Sequence, residues 1–186
     1  MANAETAYLA KRAATLVNPS TNDQIFLQAD NSALSAFVAI PGDFVSGTSR
    51  LDGKCIYVRA SGKATVAANS TVISTIYYSP TARTSITFNG TGVATTGAVQ
   101  TTGTVTASVN WFIEYTAIWD ITTKIMGGYW DSFSSLTPTF TTTAIATNVT
   151  AVDLSVSGPG FICGAHLGTP NAASVVTMSE FVLEVL

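Results

Sequence analysis

Charged side chains are scarce in this sequence, and neither sign predominates by much. They account for 10% of the 186 residues, with 8 Lys and Arg against 11 Asp and Glu. A protein that binds nucleic acid needs a surplus of positive charge to neutralise phosphates, so this composition does not favour a nucleic-acid partner. Hydrophobic residues, in contrast, make up 47% of the chain. This balance predicts one sizeable domain with a substantial core and argues against disorder.

Long apolar runs and paired cysteines are also lacking. Lys11 and Arg12 interrupt the N-terminal region, and the longest charge-free stretch, residues 84–113, contains many Thr, Gly, Asn and Gln residues. We therefore predict neither a secretion signal nor a membrane span, and we expect a soluble protein with no membrane partner. Cys55 and Cys163 lie far apart, without the spacing of metal ligands. Without secretion, free thiols in strands are favoured over a disulfide.

Residues suited to catalysis are few. His166 is the single histidine and no Gly-x-Ser-x-Gly motif is present, so a nucleophilic triad is not predicted. Glycosidases place two carboxylates about 5 to 10 Å apart. In extended strands, Glu180 and Glu184 would lie about 13 Å apart, and Glu114 and Asp120 about 20 Å apart. Neither pair fits, although acids from different strands could still meet. We predict that the protein is not an enzyme.

Cofactor and metal sites are not predicted either. The glycine-rich segments 90–92 and 158–160 lack the lysine and the following helix of a phosphate-binding loop. Aspartates near turn signals, such as Asp52, do not form the Asp-x-Asp-x-Asp-Gly pattern of a calcium loop. These absences favour a protein that binds over one that performs a reaction.

Strand periodicity is the clearest pattern that the sequence does contain. Every odd position from 107 to 121 is apolar, whereas the even positions are mixed. This alternation is typical of a strand with one face on a core. The side chains predicted to be buried are Val109, Trp111, Ile113, Tyr115 and Trp119. One strand of this length would span about 50 Å, so we predict a bend or bulge near Tyr115 and Thr116.

Shorter strands are predicted along the rest of the chain. Threonine is abundant and favours strands, because its branched side chain suits a pleated sheet. The predicted strands are 24–29, 36–40, 54–60, 71–79, 84–89, 103–121, 124–130, 137–143, 160–167 and 175–186. Turn signals such as Ser61-Gly62 and Gly127-Gly128 separate them. Many short strands without helical periodicity predict an all-β, antiparallel β-sandwich.

Residues 1–22 differ from residues 23–186, which we assign to the β-sandwich domain. The N-terminal segment is rich in alanine, and we predict either a marginal helix or an extended arm that contacts a neighbouring surface. Its large apolar residues, which are candidate interface residues, are Tyr8, Leu9, Leu16 and Val17.

Three further apolar residues lie on strand faces that are otherwise polar. A partner subunit or a covering loop would explain Phe112, Ile118 and Val182 there, and we predict a homotrimer. Tyr129 and Trp130 follow a Gly-Gly pair and are candidates for exposed contact, including the stacking of a sugar.

Four segments of the chain resemble a known class of protein. The segments 40–42, 57–62, 111–114 and 178–184 look like parts of the β-sandwich virion proteins of tailed bacteriophages. Most similar are the jelly-roll head-decoration, or cement, proteins and the related heads of tail fibres, and the resemblance covers residues 36–186. It implies a jelly-roll fold in a non-enzymatic, commonly trimeric part of a virus particle assembled in the host cytoplasm. By this analogy the partner is the major capsid protein, and the arm at 1–22 contacts it.

Three functions remain open after these observations. The favoured one is capsid decoration, because the long repeats that usually precede a fibre head are absent. The alternative is the head of a receptor-binding tail fibre or spike, acting as a carbohydrate-binding module. The third is an enzyme whose site the sequence does not make recognisable.

Overall fold

All regular structure in the described part of the chain is β. The computed structural model describes residues 14–17, 24–26, 37–39, 51–67, 70–80, 91–95, 99–100, 107–134, 145–155, 159–169, 171 and 173–185. Twelve strands and no helix lie within these ranges. Among these residues, then, no helix is long and apolar enough to span a membrane.

Six antiparallel strands form the first sheet. They are β1 (Ala14–Val17), β4 (Cys55–Val66), β8 (Ala107–Asp120), β9 (Ile125–Ser134), β10 (Ile145–Val149) and β12 (Val175–Val185). Their spatial order is β1, β12, β4, β8, β9, β10. The long strands β4 and β8 lie side by side at the centre, where twelve residue pairs join them without a register shift.

The second sheet is antiparallel as well. Its strands are β2 (Gln24–Ile25), β3 (Phe37–Ala39), β5 (Thr71–Ser79), β6 (Thr91–Thr95), β7 (Val99–Gln100) and β11 (Gly160–Leu167). The order is β2, β11, β5, β6, while β3 also pairs with β11 and β7 with β5. The orders β1, β12, β4, β8 and β2, β11, β5, β6 are those of the two four-stranded sheets of a jelly roll, and β9 and β10 extend the first sheet beyond that pattern. The predicted fold class, an all-β antiparallel sandwich of jelly-roll type, is confirmed.

The core lies between the two sheets and follows the predicted alternation. Val109, Trp111, Ile113, Tyr115 and Trp119 are each at most 3% exposed. From the second sheet the alternate side chains of β11 face them, and Phe161 lies 6.4 Å from Tyr115 between ring centroids. Phe26 stacks on Trp111 at 5.8 Å. The predicted burial of these five side chains on β8 is therefore confirmed.

The predicted turn at Ser61-Gly62 is wrong, because both residues lie within β4. A Cβ on Gly62 would stand 1.9 Å from the carbonyl oxygen of Thr177 and 2.7 Å from the Trp111 ring. Glycine is required here because the neighbouring strand and a core tryptophan approach closely. The residue therefore marks tight packing within a strand.

The predicted turn at Gly127-Gly128 is wrong for the same reason. Both residues lie within β9, and a Cβ on Gly128 would stand 2.3 Å from the carbonyl oxygen of Thr116. The chain turns earlier, at residues 121–124, where Lys124 adopts a positive φ of 55°. Asp120 stabilises that turn, since its carboxylate accepts hydrogen bonds from the main-chain N–H groups of Thr122 and Thr123.

The bulge expected near Tyr115 and Thr116 is absent there. The pairing of β8 with β4 and with β9 runs through both residues without a shift. The register shift lies in β12, between Met178 and Glu180. It moves the inward positions from the even to the odd residues, so Phe181 continues the buried face that Met178 began.

The N-terminal prediction is tested only in part. Residues 14–17 of the predicted arm form β1, which pairs with β12 at the edge of the first sheet. The remainder of residues 1–22 lies outside the described residues, and so do the predicted strands 84–89 and 137–143. The boundary at residue 22 stays a prediction. Strands β6, β7 and β10 were not predicted from the sequence.

Cys55 and Cys163 are both free, as predicted. They belong to different sheets, Cys55 in β4 and Cys163 in β11. Burial raises the pKa of both thiols, and that of Cys163 rises far above its ordinary value because the side chain is fully enclosed.

Candidate functional site

A groove of about 300 Å³ lies on the outer face of the second sheet. Its position follows from strand alternation. Val72, Ile76 and Tyr78 of β5 join the core, so the odd residues of this strand point outwards. The described residues that line the groove are Ile73, Thr75, Tyr77, Gly92, Val93, Ala94, Thr95, Trp130 and His166.

Three neighbouring strands form the floor of the groove. β11 contributes His166, which pairs with Ile73 of β5. On the other side, β6 contributes Thr95, which pairs with Thr75. The hydroxyl of Thr75 donates a hydrogen bond to the hydroxyl of Thr95 over 3.3 Å. The two hydroxyls therefore form a polar pair on a floor that is otherwise largely apolar.

One wall of the groove comes from the first sheet. Trp130 lies on β9 opposite Tyr115 and packs partly against the core. At this margin of the sandwich β9 approaches β6, so the indole also borders the groove on the second sheet. An aromatic ring from one sheet thus stands beside polar groups from the other.

Gly92 keeps the groove open. The register of β5 and β6 shifts between Ile76 and Tyr77, and the shift sets Gly92 opposite Tyr77. A Cβ on Gly92 would lie 3.3 Å from the Thr75 methyl group and 3.7 Å from the Tyr77 ring. Any larger side chain here would fill space that a ligand could occupy.

The chemistry of the groove is suited to binding. Its described lining combines an indole, hydroxyls and one imidazole with apolar side chains, and it contains no carboxylate, amine, guanidinium or thiol. Ligand sites typically have this composition, a mainly apolar surface with a few polar groups that fix orientation. The described lining of the groove therefore contains no pair of acids of the kind that hydrolysis of a glycosidic bond needs.

The outer face of the first sheet has a different character. Ile118 on β8 is 55% exposed and Tyr129 on β9 is 45% exposed. Because Ile118 pairs with Gly127 and Tyr129 with Thr116, these two side chains are diagonal neighbours on one face. We call this pair the outer apolar patch.

Charged residues occupy the centre of the same face. Arg59 on β4 forms an ion pair with Glu180 on β12, with 3.0 Å between Nη2 and Oε1. Partial burial, reinforced by a hydrogen bond with Glu114, raises the pKa of the neighbouring Tyr57 to about 12. Because these four side chains pair with one another, we interpret them as a structural cluster of charged and polar groups.

The residues predicted to form an interface differ in how exposed they are in the structure. Ile118 is exposed and Phe112 half-buried, but Val182 is fully buried within the single chain and offers no surface to a partner. Val182 lies on an interior strand, opposite Arg59. Leu16 and Val17 lie in β1, with their side chains outside the described residues, as are Tyr8 and Leu9 altogether.

Tyr129 and Trp130, predicted together as exposed contact residues, point to opposite faces of β9. Tyr129 faces outwards on the first sheet, as predicted, whereas Trp130 points to the opposite side and is half-buried. Sequence reasoning missed the partners of Trp130 in the groove, Thr75, Thr95 and His166. No local signal joins these residues, because they lie on three strands that meet only through the sheet order.

No protein-family model and no curated protein matches the sequence. Among solved structures, the chain is similar to the winged bean acidic lectin complexed with methyl-α-D-galactose, at 9% identity and a TM-score of 0.37, over 97% of this chain and 98% of that chain. The legume lectin-like domain from Entamoeba histolytica matches at 5% identity and a TM-score of 0.39, over 97% and 89%. The CBM2 module of the evolved Dit of Lactobacillus casei BL23 phage J-1 matches at 11% identity and a TM-score of 0.31, over 80% and 67%. Values this low do not indicate what the present chain binds.

Proposed function

We propose that this protein is a non-enzymatic carbohydrate-binding β-sandwich, the alternative function left open by the sequence. The groove between Trp130 and the Thr75–Thr95 hydroxyl pair carries the proposal. A sugar ring has one apolar face and a rim of hydroxyls. The groove offers an aromatic surface for the first and donors and acceptors for the second.

Preformed geometry supports a binding role further. The hydroxyl pair is held by two adjacent strands, and the indole is fixed by its contact with the core. Groups that are held in place before the ligand arrives lose little conformational freedom on binding. We also propose that the protein is carried on a phage particle assembled in the host cytoplasm, which the sequence resemblance supports.

A glycan-binding measurement with two adjacent variants tests the carbohydrate function. Trp130→Ala should weaken binding to immobilised glycans at least tenfold. Tyr129→Ala is the matched control, because it removes the neighbouring aromatic ring from the opposite face of the same strand. Thermal unfolding of both variants checks that the fold is retained. Unchanged glycan binding by a folded Trp130→Ala variant would overturn the proposal.

Capsid decoration is the second candidate function, and the outer apolar patch favours it. Two large apolar side chains are exposed as diagonal neighbours on one sheet face, as expected for a protein contact. In this case the partner is the major capsid protein and the protein acts as a homotrimer. Ile118→Asp should then abolish co-sedimentation with particles that lack the protein, while Trp130→Ala should bind them normally. The reverse result would exclude the patch as the contact.

A further inference from the structure

On the basis of the proposed function, we infer that the groove accepts an uncharged terminal sugar and discriminates against its carboxylated counterpart. The observation behind this inference is the charge of the described lining. Nine described residues border the groove, and none of these nine is Lys, Arg, Asp or Glu. Polar contacts within the site therefore come from hydroxyls, the imidazole and the main chain.

Binding of an anionic ligand in this groove would be unfavourable, because the described lining offers little to replace the lost hydration of the charge. A carboxylate that leaves water loses its hydration, and a protein offsets that loss with a cation or with several hydrogen-bond donors. The Thr75 hydroxyl already donates to Thr95, which leaves fewer donors for an added negative charge. A neutral hydroxymethyl group at the same position carries no such cost.

The size of the groove restricts the ligand to a terminal unit. A volume of about 300 Å³ is at the lower end of the range for ligand sites, about 300 to 1,000 Å³. Tyr77 and Gly92, which lie opposite each other on β5 and β6, both border this space. The ligand therefore enters as the end of a glycan, with its remaining units outside the groove.

Pairs of glycans that differ only at C6 of the terminal sugar test this inference. We would immobilise glucose-terminated and glucuronate-terminated forms, together with galactose-terminated and galacturonate-terminated forms, on the same linker. Affinity for the preferred neutral member should exceed that for its carboxylated partner at least tenfold. Gly92→Val should reduce binding of the neutral member at least tenfold, because its side chain fills the groove.

A charge-insertion variant gives a second, independent measurement. Thr95→Lys should shift the preference towards the carboxylated member of each pair by tenfold or more, because it adds the missing cation to the floor. Tyr129→Lys is the matched control, since it adds the same charge to the other sheet and should leave the preference unchanged.

The outcomes separate the inference from the proposed function. Equal or tighter binding of the carboxylated members by the wild-type protein, lost in Trp130→Ala, would overturn the inference and keep the carbohydrate function. Failure of the folded wild-type protein to bind either member of both pairs would count against the inference and the proposed function together. Neutral preference that persists unchanged in Gly92→Val would place the sugar elsewhere and refute the inference.

Discussion

At the scale of single residues, Tyr115 places a polar atom in the core without a partner among the described residues. Its side chain is fully buried, and no described group forms a hydrogen bond with its hydroxyl. Burial alone raises the pKa of this phenol far above its ordinary value. The aromatic ring fills the space beside Phe161, so the ring stabilises the core while the hydroxyl opposes that gain.

Tyr115→Phe should therefore leave stability unchanged or raise it. The substitution keeps the ring and removes a buried, unpaired polar atom, whose burial costs about 1 to 3 kcal/mol. Urea unfolding followed by tryptophan fluorescence gives the change in unfolding free energy. A loss of more than about 1 kcal/mol would mean that the hydroxyl forms a hydrogen bond that stabilises the fold.

The raised pKa values of two further tyrosines predict that the folded protein loses stability in alkaline solution. Burial raises the pKa of Tyr57 and of Tyr78 to about 12, against about 10 in an unfolded chain. Between pH 10 and 12 the unfolded chain loses phenolic protons that the folded chain retains. The unfolding free energy should thus be constant below pH 10 in this respect and fall as the pH rises above it.

Urea unfolding at pH 8, 10 and 11 measures this fall. The variant Tyr57→Phe with Tyr78→Phe should show a smaller decrease between pH 10 and 11 than the wild-type protein. The same decrease in both proteins would assign alkaline sensitivity to other groups.

At the scale of elements, period-2 alternation predicts several strands correctly, whereas the glycine turn signals at two positions do not predict turns. The strands β5 and β11 have the predicted bounds, and β8 has the predicted inward face, because period-2 alternation is a local property. The turn signals at residues 61–62 and 127–128 failed, since glycine is required both where a chain turns and where two strands crowd together. Only the tertiary contact distinguishes these two uses.

Gly62→Ala tests the crowded position in β4. The new methyl group would overlap the Thr177 carbonyl oxygen, and main-chain atoms of a central sheet cannot move aside easily. Overpacking costs about 1 to 3 kcal/mol, and here we expect the upper end of that range or failure to fold. Chemical denaturation of the purified variant measures the loss.

Gly127→Ala is the control for this experiment. A Cβ on Gly127 would stand 3.1 Å from the side-chain oxygen of Asn148, an exposed residue that can move. We expect a change within about 1 kcal/mol. Equal effects of the two substitutions would contradict a special role for Gly62.

At the scale of the whole molecule, composition and periodicity predict the sandwich but not its site. The fold class depends on how many short strands the chain contains, which can be read locally. The groove depends on strand order, which brings Thr75, Thr95 and His166 together and sets Trp130 beside them. Each of these side chains looks ordinary in its own segment, so the site emerges only from long-range pairing.

Two deletions, one that keeps strand β1 and one that removes it, test whether the predicted arm contacts the particle. Removing residues 1–13 leaves β1 in place, whereas removing 1–22 also removes its four pairs with β12. Both variants should keep the β-sheet circular dichroism spectrum. Under the capsid-decoration candidate, in which the arm acts together with the outer apolar patch, neither should sediment with particles that lack the protein. Only the longer deletion should unfold at lower urea concentration, because it leaves β12 as an unpaired sheet edge. Normal attachment of both variants would show that the arm is not needed and would leave the outer apolar patch as the particle contact. Identical unfolding midpoints would show that β1 does not stabilise the first sheet.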